Sequence, residues 1–252
     1  MSGHSKWANI KHKKEATDKK KGQAFSKIAK EIMVATKVGG KDPNSNIKLR
    51  MALASARAAN MPRENIERAI KKGAGELGDV TYEEITYEGY GPAGTAFIVE
   101  CLTDNKNRTI CDVRMAFDRN GGNLAASGAV AWMFQRKAHF VIEGENADEE
   151  KLMDLVLDAG AEDITVENDV AEIWAAPDAF ADISKALEDA GIDCSEAAIT
   201  RQPENTVEIK ELSKAQQVLR LIDKLEDLDD VQKVTSNIEI ADEIMEKLAE
   251  ED

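Results

Sequence analysis

The chain has 252 residues, of which 42% are hydrophobic and 32% are charged, and its formal net charge is −15. This length and composition predict a soluble globular protein of two or three domains. No run of about 18 apolar residues is present to span a membrane, and the N-terminal lysines are not followed by the apolar stretch of a secretory signal. Three scattered cysteines are too few for a disulfide framework, so we expect a cytoplasmic protein.

Charge is divided sharply along the chain. Residues 1–75 hold 18 Lys+Arg and 6 Asp+Glu, a net charge of +12, whereas residues 76–252 hold 15 and 42, a net charge of −27. A basic region on an acidic body is typical of a protein that binds a phosphate backbone with one end. We therefore expect a nucleic acid partner, bound by the basic end.

The basic region is predicted to be a helical N-terminal domain, residues 1–75. Residues 1–21 are rich in lysine and lack a helical repeat, which predicts a flexible arm. Apolar residues then recur at helical spacing and predict three helices: 25–39, 45–59 and 62–72. The glycine-rich residues 73–79 are predicted to form a hinge to the rest of the chain.

Beyond the hinge the apolar pattern changes to that of strands. Residues 80–134 predict a ββαβ order, with strands at 82–88, 95–102 and 130–134 and a helix at 109–119. The first two strands are separated by a glycine-containing turn. The second strand is almost entirely apolar, which predicts a central position in a sheet.

The last two segments are also mixed. Residues 135–202 predict the βαββαβ order of the ferredoxin-like motif, with elements at 140–142, 152–159, 164–166, 170–175, 180–190 and 194–200. Residues 203–240 predict a βαβ order, with elements at 206–209, 215–225 and 231–240. The acidic tail, 241–252, is expected to form an amphipathic helix or to remain frayed.

These elements predict an α+β multidomain protein. Residues 80–134 and 203–240 are expected to close into one split α+β domain. Residues 135–202 are then a second α+β domain inserted into the first, so that two ferredoxin-like domains follow the helical one. Simple tandem domains are the alternative arrangement.

No catalytic or metal-binding constellation stands out. His4 and His12 lie among lysines, without the cysteine or carboxylate partners that a metal site needs, and His139 is expected to be a packing or surface residue. Cys101 and Cys111 are expected to be small core residues rather than nucleophiles. The glycine-rich segments lack the Gly-Lys-Ser/Thr ending of a phosphate-binding loop. We therefore predict a protein without enzymatic activity, cofactor, metal or small-molecule substrate.

The candidate nucleic-acid-binding residues lie in the first 75 residues. Lysines supply charge to phosphates without reading bases, and Trp7 is expected to stack on an unpaired base. Arg63, Arg68, Lys71 and Lys72 are expected to extend the basic surface along the third helix. A solvated lysine-rich face without a partner is the alternative interpretation. The complete candidate set is Lys6, Trp7, Lys11, His12, Lys13, Lys14, Lys19, Lys20, Lys21, Lys27, Arg63, Arg68, Lys71 and Lys72.

Seven segments of this sequence closely resemble those of the YebC/PmpR family. They are Gly3–Lys14, Phe25–Ile28, Asn60–Gly73, Tyr87–Pro92, Glu100–Thr109, Gly121–Leu124 and Val130–Phe134. The resemblance extends to about Ile240. It implies a helical N-terminal domain followed by two α+β domains, one inserted in the other, and no enzyme activity.

What the family resemblance implies about function is divided. Bacterial members are described as DNA-binding transcriptional regulators, the mitochondrial relative as a translational activator of cytochrome oxidase synthesis, and some bacterial members as ribosome-associated factors that relieve stalling at proline runs. We expect a ribosome- or ribosomal-RNA-associated translation factor, because a lysine-rich arm with one tryptophan suits an RNA cleft and no dimeric half-site reader is recognisable. A duplex-DNA transcriptional regulator is the alternative. A pure protein adaptor, in which the lysines are dispensable, is a third.

Overall fold

The computed structural model describes residues 18–78, 81–167 and 169–251. These residues divide into two compact units. One unit is formed by residues 134–202, and the other by the described residues before and after that segment. Within the described part of the chain, no helix is long and apolar enough to cross a bilayer.

The described part of the basic region, residues 18–75, folds as three helices around a small core. The helices are α1 (Asp18–Gly39), α2 (Ile47–Ala58) and α3 (Arg63–Gly73). Ile32 of α1 and Leu49 and Ala56 of α2 are completely buried, and Ala69 of α3 packs with them. The three helices predicted from apolar spacing are therefore confirmed.

Helix α1 begins earlier than predicted, because Lys19, Lys20 and Lys21 are helical and do not belong to an extended arm. Lysine is a good helix former, and the single Gly22 lowers helix stability by only about 1 kcal/mol. The apolar repeat starts at Phe25 and marks only the part of the helix that packs. Periodicity therefore placed the start of α1 too late.

Two residues fix how the helices of this region meet. The buried side chain of Asn46 accepts the Leu49 N–H at 3.0 Å and donates to the Ala35 and Gly40 carbonyl oxygens at 2.8 Å, which caps α2 and joins it to the end of α1. Gly73 lets α3 approach α1 closely, because a Cβ at this position would lie 2.4 Å from the Met33 carbonyl oxygen.

The first part of the split domain comes next along the chain. Its elements are β1 (Glu83–Tyr90), β2 (Ala96–Thr103), α4 (Lys106–Arg119) and the short β3 (Asn123–Leu124). Strands β1 and β2 form an antiparallel hairpin, and β3 pairs with β1. Strand β2 is almost entirely buried, as its apolar composition predicts.

The strand predicted at 130–134 is wrong. Residues Ala131–Met133 form a short 3-10 helix, and the next strand begins at Phe134. The buried carboxylate of Glu88 accepts three backbone N–H groups at 2.6–2.8 Å, those of Gly128, Val130 and Ala131. A buried charge needs such donors, and N–H groups held by Glu88 are not available to a strand ladder.

The unit of residues 134–202 has the predicted βαββαβ order. Its elements are β4 (Phe134–Glu143), α5 (Glu149–Val156), β5 (Ala161–Glu167), β6 (Val170–Ala175), α6 (Phe180–Asp189) and β7 (Glu196–Pro203). The strand order in its sheet is β5-β6-β4-β7, with β6 antiparallel to both β4 and β5. This is the ferredoxin-like arrangement.

The chain then returns to the first unit. Its last elements are β8 (Val207–Ile209), α7 (Leu212–Glu226), β9 (Val231–Ser236), β10 (Ile238–Ile240) and α8 (Asp242–Glu251). Strand β9 pairs antiparallel with β2 and completes a sheet of order β3-β1-β2-β9, while β8 and β10 form a parallel pair. The single strand predicted over 231–240 is thus two strands, divided at Asn237.

Residues from both sides of the 134–202 segment share one core. Phe97, Val113 and Phe117 pack in the same buried cluster as Val218 and Leu221 of α7. The mixed α+β class is confirmed. The ferredoxin-like order is confined to residues 134–202, because the split domain runs ββαβ and then βαββ.

Candidate nucleic-acid interface

The candidate residues of the first segment lie outside the described part of the chain. They are Lys6, Trp7, Lys11, His12, Lys13 and Lys14. Lys19 and Lys20 lie in the first turn of α1, where only their backbone is described. Lys21 is exposed in the same turn. The described candidates therefore lie on α1 and α3.

Helix α3 carries a group of cations that we call the basic face of α3, defined as Arg68, Lys71 and Lys72. These residues are three and four positions apart, which places their side chains on one side of a helix. Arg68 and Lys71 are exposed and Lys72 is half-buried. Among the described residues none of the three forms an ion pair, so their charges are open to solvent.

The position of this face on the helix suits its charge. Lys71 and Lys72 occupy the last turn of α3, where the helix dipole is negative and cations are stabilised. The helix dipole therefore favours these cations at this end of α3.

Arg63, at the start of α3, is paired but remains accessible. Its Nε lies 2.9 Å from Glu67 Oε1, and its side chain is 91% exposed. An exposed pair of this spacing contributes only about 0.3–0.5 kcal/mol. A phosphate could therefore replace Glu67 at small cost.

Other cations of the helical region have structural partners. Lys48 Nζ lies 3.2 Å from Glu84 Oε1, and Lys41 forms an ion pair with Glu76. Arg50 donates to the carbonyl oxygens of Pro43 and Asn44 at 3.1 and 2.9 Å, which ties it to the turn before α2.

Lys27, another candidate, is covered in this structure and does not lie on an open basic surface. Its Nζ donates to the Glu226 carbonyl oxygen at 2.5 Å, and the side chain is half-buried. Burial lowers the pKa of Lys27, and the nearby carboxylates of Glu226, Asp227 and Asp229 oppose that shift. In this arrangement the ammonium caps the C-terminal end of α7.

Sequence reasoning missed Lys30, one turn further along α1. Its Nζ donates to the Asp229 carbonyl oxygen at 2.8 Å and to Asp230 Oδ1 at 2.9 Å, and it lies 5.7 Å from the centre of the Tyr82 ring. The acidic partners of Lys30 are about 200 positions away in sequence. The residues around Lys30 therefore give no indication that it is paired.

Asp230 is the centre of a buried polar network. Its Oδ2 accepts from Arg108 Nη2 at 2.6 Å, Thr109 Oγ1 at 2.9 Å and Thr103 Oγ1 at 3.1 Å. Burial would raise the pKa of Asp230, but the hydrogen bonds from Arg108, Lys30 and Thr109 outweigh it and lower the pKa to about 2. The network holds the loop before β9 against the start of α4.

The described residues do not assemble a metal site. No group of three or more His, Cys, Asp or Glu side chains within 18–78, 81–167 and 169–251 could hold a metal ion. Burial raises the pKa of Cys101 to about 12 and that of Cys194 to about 11, which disfavours thiolates. His139 is buried in β4 and stacked on Trp174 with 3.9 Å between ring centroids, as expected of a packing residue.

Comparisons with known proteins agree with this architecture. Residues 5–76 match the family model described as the TACO1/YebC protein N-terminal domain, and residues 82–238 match the model of the TACO1/YebC second and third domain. A crystal structure of a conserved hypothetical protein from Aquifex aeolicus is 45% identical and superposes with a TM-score of 0.82, covering 90% of this chain and 94% of that one.

Curated relatives match over almost their whole length. A protein of Thermoanaerobacter pseudethanolicus is 53% identical over 96% of this chain and 99% of its own. A protein of Treponema denticola is 54% identical over 95% of this chain and 97% of its own. Both carry the name probable transcriptional regulatory protein. The chain belongs to the TACO1/YebC family.

Proposed function

We propose that this protein is a non-enzymatic regulator of gene expression that binds nucleic acid through its basic N-terminal domain. The observation that carries the proposal is the basic face of α3, which is accessible to solvent and follows the lysine-rich first 21 residues in sequence. The regulatory role is supported by the names of the curated relatives.

The chemistry of the basic face of α3 favours the phosphate backbone over the bases. Lysine ammonium groups bind phosphates as point charges and carry no base code. Asn65, three residues before Arg68 on the same side of the helix, is of a type that reads adenine, but it is half-buried whereas Arg68 and Lys71 are exposed. Binding by shape and charge is therefore expected, with a strong dependence on salt.

Ribosomal RNA is the target that we favour, and the role is then that of a ribosome-associated translation factor. RNA helices and clefts are recognised mostly by shape and by phosphate contacts, which lysine-rich surfaces provide. Duplex DNA is the alternative, and the relatives named as transcriptional regulators support it. Both targets share the phosphate backbone, so an experiment must separate them.

Ribosome co-sedimentation from a lysate across a salt series, with duplex DNA as competitor, tests this function. We would compare the intact chain with a chain lacking residues 1–21 and with the triple variant R68Q/K71Q/K72Q. The matched control is K185Q/K210Q/K214Q, which removes three exposed lysines far from the helical region in sequence. Localisation to the cytoplasm is expected from this role.

The expected result is salt-sensitive ribosome binding that excess DNA does not displace. Removing residues 1–21, or the three cations of α3, should weaken it at least about tenfold, because affinity at moderate salt falls severalfold for every phosphate that the protein no longer neutralises. The control should behave as the intact chain. Displacement from ribosomes by a low concentration of duplex DNA would favour the transcriptional alternative. Ribosome binding that is unchanged both by the deletion of residues 1–21 and by R68Q/K71Q/K72Q would contradict the basic domain as the binding surface.

A further inference from the structure

The chain carries an acidic segment that lies against the basic side of α1. This segment, Glu226–Asp230, reads Glu-Asp-Leu-Asp-Asp and joins α7 to β9. Three side chains of α1 reach it: Gln23 donates to the Asp227 carbonyl oxygen at 3.4 Å, Lys27 to Glu226 and Lys30 to Asp229 and Asp230. Two cations of the basic region are therefore covered by the acidic body of the same chain.

The oxygens of the acidic segment occupy the positions that phosphate oxygens would take on this helix. Lys27 and Lys30 are three residues apart, so both ammonium groups lie on one side of α1. They meet two carbonyl oxygens and one carboxylate oxygen at 2.5–2.9 Å, the distances of charge-assisted hydrogen bonds. A phosphate backbone offers the same kind of acceptor with more negative charge.

The contact between α1 and the body also contains groups that are poorly accommodated. Burial lowers the pKa of Lys27, and burial raises the pKa of Glu31 against the attraction of Lys233 and Lys27. Both shifts mean that the charged form is less stable in this contact than in water.

Separating the acidic segment from α1 would leave the buried carboxylate of Asp230 paired. Asp230 would keep Arg108, Thr103 and Thr109, while Lys30 would return to solvent. The connection from α3 to β1 contains Gly75 and Gly78, whose φ angles of +81° and +96° suit a hinge made of glycine. Tyr82 and the exposed Lys48–Glu84 pair are further contacts of the helical region with the start of β1.

We propose that Lys27 and Lys30 form a second phosphate-binding face, which the acidic segment covers in the free protein and which nucleic acid uncovers by displacing that segment. The inference rests on the proposed function, because it names further residues of the same basic domain. It adds a self-inhibiting contact that lowers the apparent affinity by the fraction of molecules in which the face is covered.

The first test removes the charges of the acidic segment and leaves Asp230 in place. The variant is E226Q/D227N/D229N, and the matched control is E211Q/E243Q/E246Q, which removes three exposed carboxylates elsewhere in the same unit. The probes are an RNA duplex of about 20 base pairs, longer than a typical protein footprint of about 16, and a DNA duplex of the same sequence. The variant should bind at least one duplex about fivefold more tightly than the control.

The second test asks whether the covered lysines reach phosphates in the complex. In K27Q/K30Q, the slope of log affinity against log salt on the DNA duplex should fall by about 1 to 2, because up to two fewer phosphates are neutralised. The control K185Q/K210Q should keep the slope of the intact chain. Thermal unfolding of each variant shows that it is folded before binding is compared.

A third readout needs no nucleic acid. Amine-reactive labelling followed by mass spectrometry should modify Lys27 and Lys30 more slowly than Lys21 and Lys71 in the intact chain, and faster in E226Q/D227N/D229N. Addition of either duplex should protect the two lysines in that variant. Equal labelling in the intact chain and the variant would overturn the proposal.

The outcomes separate the two proposals. If the intact chain binds neither duplex at low salt and does not co-sediment with ribosomes, the proposed function fails and the second face fails with it. If the intact chain binds but E226Q/D227N/D229N matches its control, or the salt slope of K27Q/K30Q is unchanged, only the covered face is wrong. A difference between the RNA and DNA arms identifies which backbone the face prefers.

Discussion

Two basic helices of this protein have similar residues and opposite surroundings. On α3, Arg68, Lys71 and Lys72 make no ion pair among the described residues, and two of them are exposed. On α1, Lys30 is only 13% exposed and donates to Asp229 and Asp230, and Lys27 donates to Glu226. A lysine-rich sequence therefore predicts positive charge, but the position of the acidic body decides whether that charge is available to a partner.

The comparison predicts different costs of mutation. Exposed cations contribute little to stability, so their loss should change binding and leave folding intact. Covered cations are hydrogen-bonded to acceptors of the acidic segment, so their loss should reduce stability. The two helices can thus be distinguished by unfolding measurements, without any nucleic acid.

The largest effect on stability is expected for Asp230→Ala. Removal of this carboxylate leaves Arg108, Lys30, Thr103 and Thr109 without their common acceptor. Breaking a buried charged network by deleting one partner costs about 3–5 kcal/mol. Urea unfolding followed by circular dichroism measures the change.

Asp104→Ala is the matched control for Asp230→Ala. Asp104 also accepts from Arg108, at 2.9 Å, but its side chain is 58% exposed. Its loss should cost less than about 1 kcal/mol. If the two variants lose similar stability, Asp230 does not hold the junction between α1, α4 and β9.

The dependence of stability on acid pH is a second test of the Asp230 network. Its pKa is lowered to about 2 in the folded chain, below the ordinary value of 3.8. Its stabilising contribution is therefore complete above the ordinary value and is lost as the pH falls toward 2. The difference in unfolding free energy between the intact chain and Asp230→Ala should shrink across that window, whereas a difference that does not change with pH would contradict the network.

A smaller and more direct comparison uses one lysine from each helix. Lys30→Gln should lower stability by about 1–3 kcal/mol, because it removes a charged donor from two acceptors of the acidic segment. Lys71→Gln should stay within about 0.5 kcal/mol of the intact chain, because Lys71 is exposed. The denaturant midpoints of the two variants measure this difference in stability. Equal midpoints would mean that the lysines of α1 are no more important for stability than those of α3.

The sequence predicted the arrangement of the cations on α3, but it did not predict that the lysines of α1 are covered. Helical spacing placed Arg68, Lys71 and Lys72 on one side of α3, because periodicity carries that information within a few residues. It could not pair Lys30 with Asp230, since that contact joins positions 200 residues apart. Lys27 was assigned to the open surface for the same reason.

The fold, too, was predicted where it depends on neighbouring residues and missed where it depends on residues far away in sequence. The βαββαβ order of residues 134–202 follows from local period and turns, and the structure confirms it. The strand predicted at 130–134 failed because the N–H groups of Gly128, Val130 and Ala131 are held by Glu88, some 40 positions earlier. A buried carboxylate that organises a distant loop leaves no pattern in the loop itself.

The smallest expected effect concerns Glu31, on α1 beside the covered lysines. Burial raises its pKa above the ordinary value of 4.5, and the attraction of Lys233 on β9 and Lys27 on α1 only partly opposes the shift. The carboxylates of Glu226, Asp227 and Asp229 also attract Lys27. The folded chain therefore holds the proton of Glu31 more tightly than the unfolded chain, so the contribution of Glu31 is complete below 4.5 and is lost as the pH rises through the raised pKa.

Glu31→Gln should therefore stabilise the protein at neutral pH, by less than about 1 kcal/mol, because it keeps the shape and removes the buried charge. The gain should shrink toward zero as the pH is lowered to the ordinary value of 4.5, where the natural side chain becomes protonated as well. Unfolding free energies of this variant, of the intact chain and of the exposed control Glu246→Gln measure it across that range. Destabilisation at neutral pH would mean that the attraction of Lys233 and Lys27 for the Glu31 carboxylate exceeds the cost of burying that charge. The contact that covers α1 would then be a favourable ion network, and nucleic acid would not be expected to displace the acidic segment.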